Sequence, residues 1–208
     1  MEQEIITGFH STSKKNEANI LKFGYDLSKC KEEEQWLGKG IYFWESLYYA
    51  VEWNYIHTHS FSKNSILNNI LKNKTIFITE IFVDKDRMLD LSSPEGTILF
   101  EEFRNIVYKD LSDEERNKLK DKDDVFWIYM IKEKGFFEKF DIIKATYRKE
   151  IKLDNRKRSP RNFEKYIQSQ ICVKRVSNII HNEIYNNVDR IKFFFEHIHN
   201  NRKRIGSN

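Results

Sequence analysis

The most constraining stretch of this sequence runs from Leu37 to Phe43 and reads Leu-Gly-Lys-Gly-Ile-Tyr-Phe. Two glycines two residues apart, followed by an isoleucine and two aromatic residues, predict a tight turn that leads into a short buried strand. Further along, Ala50 and Trp53 stand one helical turn apart, with Glu52 between them. We therefore expect a turn, a strand and a helix, in that order.

A second motif lies upstream: Gly8-Phe9-His10-Ser11-Thr12, followed by Ile20-Leu21-Lys22-Phe23-Gly24-Tyr25. In order and spacing, the two motifs together resemble the nicotinamide-binding half of the ADP-ribosyltransferases related to diphtheria toxin and poly(ADP-ribose) polymerases. That family shows a strand with His-[Gly/Ser]-[Thr/Ser], a helix ending in Gly-[Phe/Tyr], Gly-x-Gly-[Ile/Phe]-Tyr-Phe, and a helix with Ala and an aromatic residue. The resemblance is good over residues 5–55 and loose over 75–91 and 140–180.

The resemblance implies that NAD is the co-substrate. His10 would then hydrogen-bond the ribose of the adenosine half, and the Ser11 backbone would hold the nicotinamide carboxamide. Tyr42 would stack on the nicotinamide ring, and Trp53 or Tyr49 would close its other face, because aromatic faces attract a cationic pyridinium. The implied NAD-binding residues are His10, Ser11, Thr12, Gly40, Tyr42, Tyr49 and Trp53.

The implied reaction breaks the bond between ribose and nicotinamide through an oxocarbenium-like transition state. The implied catalytic residues are His10, Tyr42 and, where the family has a glutamate on a late strand, Gln168. Glutamine can hydrogen-bond a ribose hydroxyl, but it carries no charge and cannot act as a base.

Three interpretations of Gln168 stay open. In the first, the chain belongs to a branch that works with glutamine and takes its base from the substrate, Glu164 or Glu183. In the second, glutamate was replaced by glutamine to inactivate a toxic enzyme. In the third, the domain binds without catalysis. We predict that Gln168→Glu raises NAD turnover if this position is the catalytic one.

The pattern of apolar residues predicts a single α+β domain over residues 1–208. The resemblance implies a split antiparallel β-sheet core with flanking helices. We expect strands over 5–10, 75–83, 140–147 and 166–173, an edge segment over 88–91, and helices over 14–22, with Ser13 as N-cap, and 47–57. We also expect a helical insertion at about 95–138 and a C-terminal helix at about 176–200.

The charge is unevenly distributed. Residues 141–208 carry 16 Lys+Arg and 7 Asp+Glu, whereas residues 1–140 carry 20 and 25. A basic rim beside the strand of Gln168 favours RNA or DNA over protein as the acceptor by a narrow margin, although a solvated surface explains the charge as well. The basic residues are Arg156, Lys157, Arg158, Arg161, Lys165, Lys174 and Arg175.

By analogy with small bacterial relatives, the resemblance implies a toxin of a toxin–antitoxin or phage-defence system, with an antitoxin protein as a partner. Two alternatives remain. One is a catalytically inactive nucleotide- or RNA-binding module that keeps the fold. The other is an RNA 2′-phosphotransferase, which shares the fold and uses NAD; it relies on Arg and His residues around the phosphate, and here only His10 is suitably placed.

The composition predicts a cytoplasmic protein with no membrane segment and no metal site. No run approaches about 18 apolar residues, and the acidic start Met1-Glu2-Gln3-Glu4 is unlike a signal peptide. Cys30 and Cys172 fit free thiols in a reducing compartment. His57-Thr58-His59 and His197-Ile198-His199 lack cysteine or carboxylate partners at ligand spacing.

Overall fold

A computed structural model of the chain describes residues 2–30, 35–58, 62–119, 122–149 and 166–206. These residues form an α+β fold, as predicted, with one mixed seven-stranded sheet covered by helices. The strands are β1 Gln3–Ser13, β2 Ile41–Trp44, β3 Lys74–Asp84, β4 Met88–Asp90, β5 Ile142–Lys149, β6 Tyr166–Val173 and β7 Ile179–Ile184. The helices are α1 Glu17–Phe23, α2 Leu47–Ile56, α3 Lys63–Asn73, α4 Pro94–Lys109, α5 Asp113–Leu119, α6 Asp124–Glu133 and α7 Val188–Gly206.

The sheet is nearly divided in two at its centre. Its strand order is β4-β5-β6-β2-β1-β3-β7, with β4 and β5 parallel and the other neighbours antiparallel, so the sheet is mixed and not antiparallel throughout as expected. β1 pairs with β3 along its whole length, from Gln3 to Ser13. In the part of the chain that the structure describes, β1 pairs with β2 only at Phe9 and Trp44. The two strands therefore part beyond this contact, and an opening forms between them.

Each face of the sheet has its own apolar core, because alternate residues of a strand point to opposite sides. On one face, α2, α3 and α7 pack over Trp44, and Phe195 is fully buried among them. On the same face, α4 and α6 bury Trp127 against the β5–β6 half. On the other face, Tyr25, from the segment after α1, packs with Phe43 of β2.

The predicted turn, strand and helix around the Gly-x-Gly stretch are all present, and the two glycines have different functions. Gly38 has φ +93°, a conformation that favours glycine. Gly40 lies so close to β6 that a Cβ atom would be 2.5 Å from Cys172 Sγ and 2.9 Å from the Val173 carbonyl oxygen. Gly38 therefore makes the turn, and Gly40 lets β2 approach β6.

The start of the first helix differs from its prediction. A 3-10 turn over Lys14–Asn16 precedes α1, and Ser13 makes no side-chain capping bond, so the predicted N-cap is wrong. Gly24 ends α1 as predicted, with φ +76°.

The C-terminal helix begins later than predicted. Residues 176–184, predicted to be helical, contain the edge strand β7, and α7 starts at Val188. Ile180 and Ile184 do have helical spacing, but Ile184 pairs with Phe77 of β3 instead. Residues 179, 180 and 184 are isoleucines, and β-branched residues suit a strand that completes the sheet at β3.

The predicted helical insertion lies between β4 and β5 and consists of α4, α5 and α6. Among the helices of the described ranges, none combines the length and the apolar character needed to cross a bilayer.

Candidate functional site

A cavity of about 750 Å³ lies where β1 and β2 part. Its volume is within the range of about 300–1,000 Å³ that is usual for small-molecule sites. The lining residues come from β1, β2, the loop before β2, α2, α6 and β6. Those described are His10, Ser11, Lys29, Cys30, Gln35, Trp36, Gly40, Ile41, Tyr42, Trp44, Trp53, Val125 and Gln170.

His10 lies at the split of the sheet and bridges it. Its Nδ1 is 2.9 Å from the Tyr42 carbonyl oxygen. A carbonyl can only accept, so we assign the proton to Nδ1 and the lone pair to Nε2. Burial lowers the pKa of the imidazole below its ordinary 6.5, and the bond to Tyr42 offsets part of this shift. His10 is therefore neutral at pH 7 and offers a hydrogen-bond acceptor.

The Tyr42 side chain holds the glycine turn in place. Its hydroxyl donates to the Gly38 carbonyl at 3.0 Å and accepts from the Leu37 amide at 2.9 Å. Burial raises the pKa of the phenol, and the neighbouring Cys172 raises it further. Since the neutral hydroxyl is engaged with the backbone, the aromatic ring is what Tyr42 offers to the cavity.

Two tryptophans extend the aromatic wall of the cavity. The rings of Trp44 and Trp53 are 5.8 Å apart. Trp53 is 42% exposed, and its ring packs against that of His57 at a tilt of 36°, with 3.8 Å between the ring centroids. A wall of this kind suits a flat ligand, and a cationic ring in particular.

Ser11 also lines the cavity, but Thr12 and Tyr49 are not among its described lining residues. Ser11 Oγ donates to Asn54 Oδ1 of α2 at 2.6 Å. Thr12 Oγ1 accepts from Asn16 Nδ2 at 3.0 Å. Tyr49 is packed edge-on against a neighbouring tyrosine of α2, 5.4 Å between ring centroids. The structure thus brings His10, Ser11, Gly40, Tyr42 and Trp53 of the predicted NAD-binding set to one cavity.

Gln168 is buried, and a different glutamine faces the cavity. Gln168 is 3% exposed, and its Nε2 donates to Glu52 Oε2 of α2 at 2.7 Å. Gln170, on the same side of β6, pairs with Trp44 and lines the cavity. Its Oε1 accepts from Trp36 Nε1 at 2.6 Å, which leaves its Nε2 as a donor.

Of the substitute bases considered from sequence, Glu183 is described and does not line the cavity. Glu183 lies on β7, and its side chain is 63% exposed beside His181. Three strands separate β7 from β6, a distance of about 19 Å at the usual strand spacing. Glu164 lies outside the described residues. No carboxylate is among the described residues that line the cavity.

Two residues of the predicted basic rim, Lys174 and Arg175, lie within the described residues. Arg156, Lys157, Arg158, Arg161 and Lys165 lie outside the described residues. Lys174 Nζ donates to the Phe137 carbonyl at 2.8 Å. Arg175 Nε forms an ion pair with Asp141 at 2.8 Å. These last two cations therefore stabilise the protein's own loops.

Several lining residues were not predicted from sequence. Trp36 and Gln35 directly precede the glycine motif, and this adjacency was a usable signal. Val125 comes from the helical insertion, far away in sequence. Glu52, which binds Gln168, was visible only as an acidic residue between Ala50 and Trp53.

No family model matches this sequence. Among curated proteins, the chain is similar to MJ0359, an uncharacterized protein of Methanocaldococcus jannaschii. The alignment is 191 residues long and 26% identical, and it covers 84% of each of the two chains. A likeness of this extent covers most of the present chain, and the name of that protein carries no activity to compare.

Proposed function

We propose that this protein is a mono-ADP-ribosyltransferase that takes ADP-ribose from NAD and transfers it to a macromolecular acceptor. The observation that carries the proposal is the hydrogen bond from His10 Nδ1 to the backbone carbonyl of Tyr42. It spans 2.9 Å across the split of the sheet, and both residues line the cavity. The two motifs are 32 residues apart in sequence, and they bring one neutral imidazole and one aromatic ring to the same space.

The polarity of the cavity suits the two riboses and the nicotinamide of NAD. The Nε2 atom of neutral His10 can accept a hydrogen bond from a hydroxyl of the ribose in the adenosine half, and Gln170 Nε2 can donate one to an oxygen of the nicotinamide-side ribose. Tyr42, Trp44 and Trp53 offer aromatic faces to the cationic pyridinium.

In the proposed reaction, the bond between the ribose carbon and the nicotinamide nitrogen breaks. Its electron pair leaves with nicotinamide, which becomes neutral, and the ribose carbon becomes an oxocarbenium centre. A nucleophilic oxygen or nitrogen of the acceptor bonds to that carbon and loses its proton to solvent. The Gln170 amide gives this cation only a dipole, so we expect slower turnover than with a carboxylate at the same place.

A binding module without transfer activity is the second candidate. It is favoured by the absence of a carboxylate among the described lining residues. The RNA 2′-phosphotransferase is less well supported, because Lys29 is the one lysine or arginine among those residues. A nucleic-acid acceptor remains part of the proposal only through the charge of residues 141–208.

The first test is binding and nicotinamide release. We expect calorimetry to detect NAD binding, and we expect His10→Ala and Tyr42→Ala to weaken it by at least tenfold. His181→Ala, on the exposed edge strand β7, is the matched control. Binding that is equal in all four proteins would contradict the proposed site.

The second test is the transfer itself. The protein is incubated with NAD labelled in the adenylate part and with total RNA, DNA or lysate protein, at low and high salt. Label on RNA or DNA, strongest at low salt, supports a nucleic-acid acceptor. Label on protein bands alone identifies a protein acceptor. NAD binding without nicotinamide release or transferred label, also in Gln170→Glu, identifies the binding module.

A further inference from the structure

Asn54 lies behind the cavity wall with half of its amide unpaired. It is 2% exposed, and its Oδ1 accepts from Ser11 Oγ, which lines the cavity. Its Nδ2 is buried and has no hydrogen-bond partner among the described residues. Buried donors without partners are rare in folded proteins, and each one needs an explanation.

A half-turn of the Asn54 side-chain amide gives a second arrangement of the hydrogen bond between Asn54 and Ser11. Nδ2 then occupies the position next to Ser11 Oγ, and Oδ1 occupies the position that had no partner. A buried carbonyl oxygen without a partner is tolerated better than a buried N–H. In this arrangement Asn54 donates to Ser11, so the Ser11 hydroxyl proton is free to point elsewhere.

We propose that Asn54 is a positioning residue that directs the Ser11 hydroxyl into the cavity, where it donates to the carboxamide oxygen of nicotinamide. This inference rests on the proposed function, and it goes further by naming a side-chain contact that selects the intact nicotinamide group. The side chain of His10 cannot replace this donor at the β1 end, because His10 Nδ1 is bonded to Tyr42 and His10 Nε2 is an acceptor.

The test compares two ligands that differ in the nicotinamide group. One is an NAD analogue with a carbocyclic ribose on the nicotinamide side, which is not cleaved; the other is ADP-ribose, which lacks nicotinamide. In Asn54→Asp the carboxylate can only accept, so it holds the Ser11 proton and turns lone pairs towards the cavity. We expect the affinity for the NAD analogue to fall about tenfold and the affinity for ADP-ribose to change less than twofold.

Three variants serve as controls. Asn105→Asp makes the same chemical change on an exposed part of α4 and should alter neither affinity. Ser11→Ala should reduce the preference for the NAD analogue as Asn54→Asp does, whereas Thr7→Ala, which removes an exposed hydroxyl on the same strand, should not. In the Ser11→Ala background, Asn54→Asp should add no further loss, because Asn54 acts through Ser11.

The outcomes separate the two proposals. If the wild-type protein does not bind the NAD analogue, the proposed function fails and this inference fails with it. If the wild type binds and Asn54→Asp weakens both ligands equally, Asn54 is merely structural and the inference is wrong. If Asn54→Asp does not fold, as judged by thermal melting, Ser11→Ala decides: a retained preference for the NAD analogue overturns the inference.

Discussion

Gln168 and Gln170 lie on the same face of β6, but the regions around them differ. Around Gln170, polar atoms line the cavity, and the amide held by Trp36 has a donor left to offer. Around Gln168, two residues earlier, the amide is buried and bonded to Glu52. The polar groups at the cavity are accessible to a ligand, whereas the buried pair links β6 to α2. Substitutions in the first region should change binding or turnover, and substitutions in the second should change stability.

The largest expected effect is that of Gln168→Glu. It would place a second carboxylate within hydrogen-bond distance of Glu52 at a buried position, where two negative charges repel strongly. We expect the free energy of unfolding to fall by about 3–5 kcal/mol at pH 7, as when a buried polar pair is broken. Urea denaturation measures this change.

The same experiment at lower pH sharpens the result. Once the pH is low enough for the pair to hold one proton, the protonated carboxyl can donate to the other, so part of the lost stability should return. A variant as stable as the wild type at pH 7, with higher NAD turnover, would show that Gln168 and not Gln170 is the catalytic position.

The next largest effect is that of Tyr42→Phe. The change removes the hydroxyl that bonds both the Leu37 amide and the Gly38 carbonyl and leaves the ring in the cavity. We expect a loss of about 1–3 kcal/mol of stability, because two backbone groups lose their partner. Trp53→Phe, which retains an aromatic ring in the wall, should leave stability within about 0.5 kcal/mol, as exposed substitutions do.

Tyr42→Phe therefore separates the bonding of the glycine turn, which the variant loses, from the aromatic ring in the cavity, which it keeps. A melting temperature unchanged from that of the wild type would contradict the bonding of the turn by Tyr42.

Gln170→Glu changes the cavity and leaves the buried pair of Gln168 and Glu52 intact. The carboxylate can accept from Trp36 Nε1 as the amide does, so we expect little change in stability. In the cavity it would stabilise the developing positive charge, and we expect nicotinamide release to rise at least tenfold. Chromatography of released nicotinamide measures the rate, and Gln3→Glu, the same change at an exposed position of β1, is the matched control. Unchanged release in a folded Gln170→Glu protein would contradict a catalytic position at Gln170.

The smallest expected effect is the pH dependence that His10 contributes. Its pKa in the folded protein is below 6.5, so between 6.5 and that lowered value the unfolded chain binds a proton that the folded protein does not. The contribution of His10 to the free energy of unfolding should therefore be fully present above pH 6.5. It should decrease as the pH falls below that value, by at most about 1.4 kcal/mol per pH unit.

His10→Asn should remove this part of the slope, and the difference between its unfolding free energy and that of the wild type should depend on pH. His181→Asn, on the exposed edge strand, is the control. A difference that is constant between pH 5 and 7 would contradict a buried neutral His10.

Sequence patterns predicted the elements around the cavity because local chemistry determines them. The positive φ at position 38 and the close approach to β6 at position 40 both favour glycine, so both are visible in the sequence. The strand of residues 166–173 was predicted at its observed bounds, and half of its residues are β-branched or aromatic, as is typical of strands.

What sequence could not supply was register and packing. Gln168 and Gln170 are on the same face, and only the pairing of Gln170 with Trp44 and the approach of α2 determine which of them reaches the cavity. The helical spacing of Ile180 and Ile184 fits a strand equally well, and the need of β3 for an edge partner decides between the two. Val125 reaches the cavity through tertiary packing alone.

The most direct test of the central claim is a crystal structure of the protein with NAD bound. We predict the pyridinium ring against Tyr42, within van der Waals distance, and a ribose hydroxyl within about 3.2 Å of His10 Nε2. NAD bound elsewhere on the protein, or His10 and Tyr42 on separate surfaces with no cavity between them, would contradict the account.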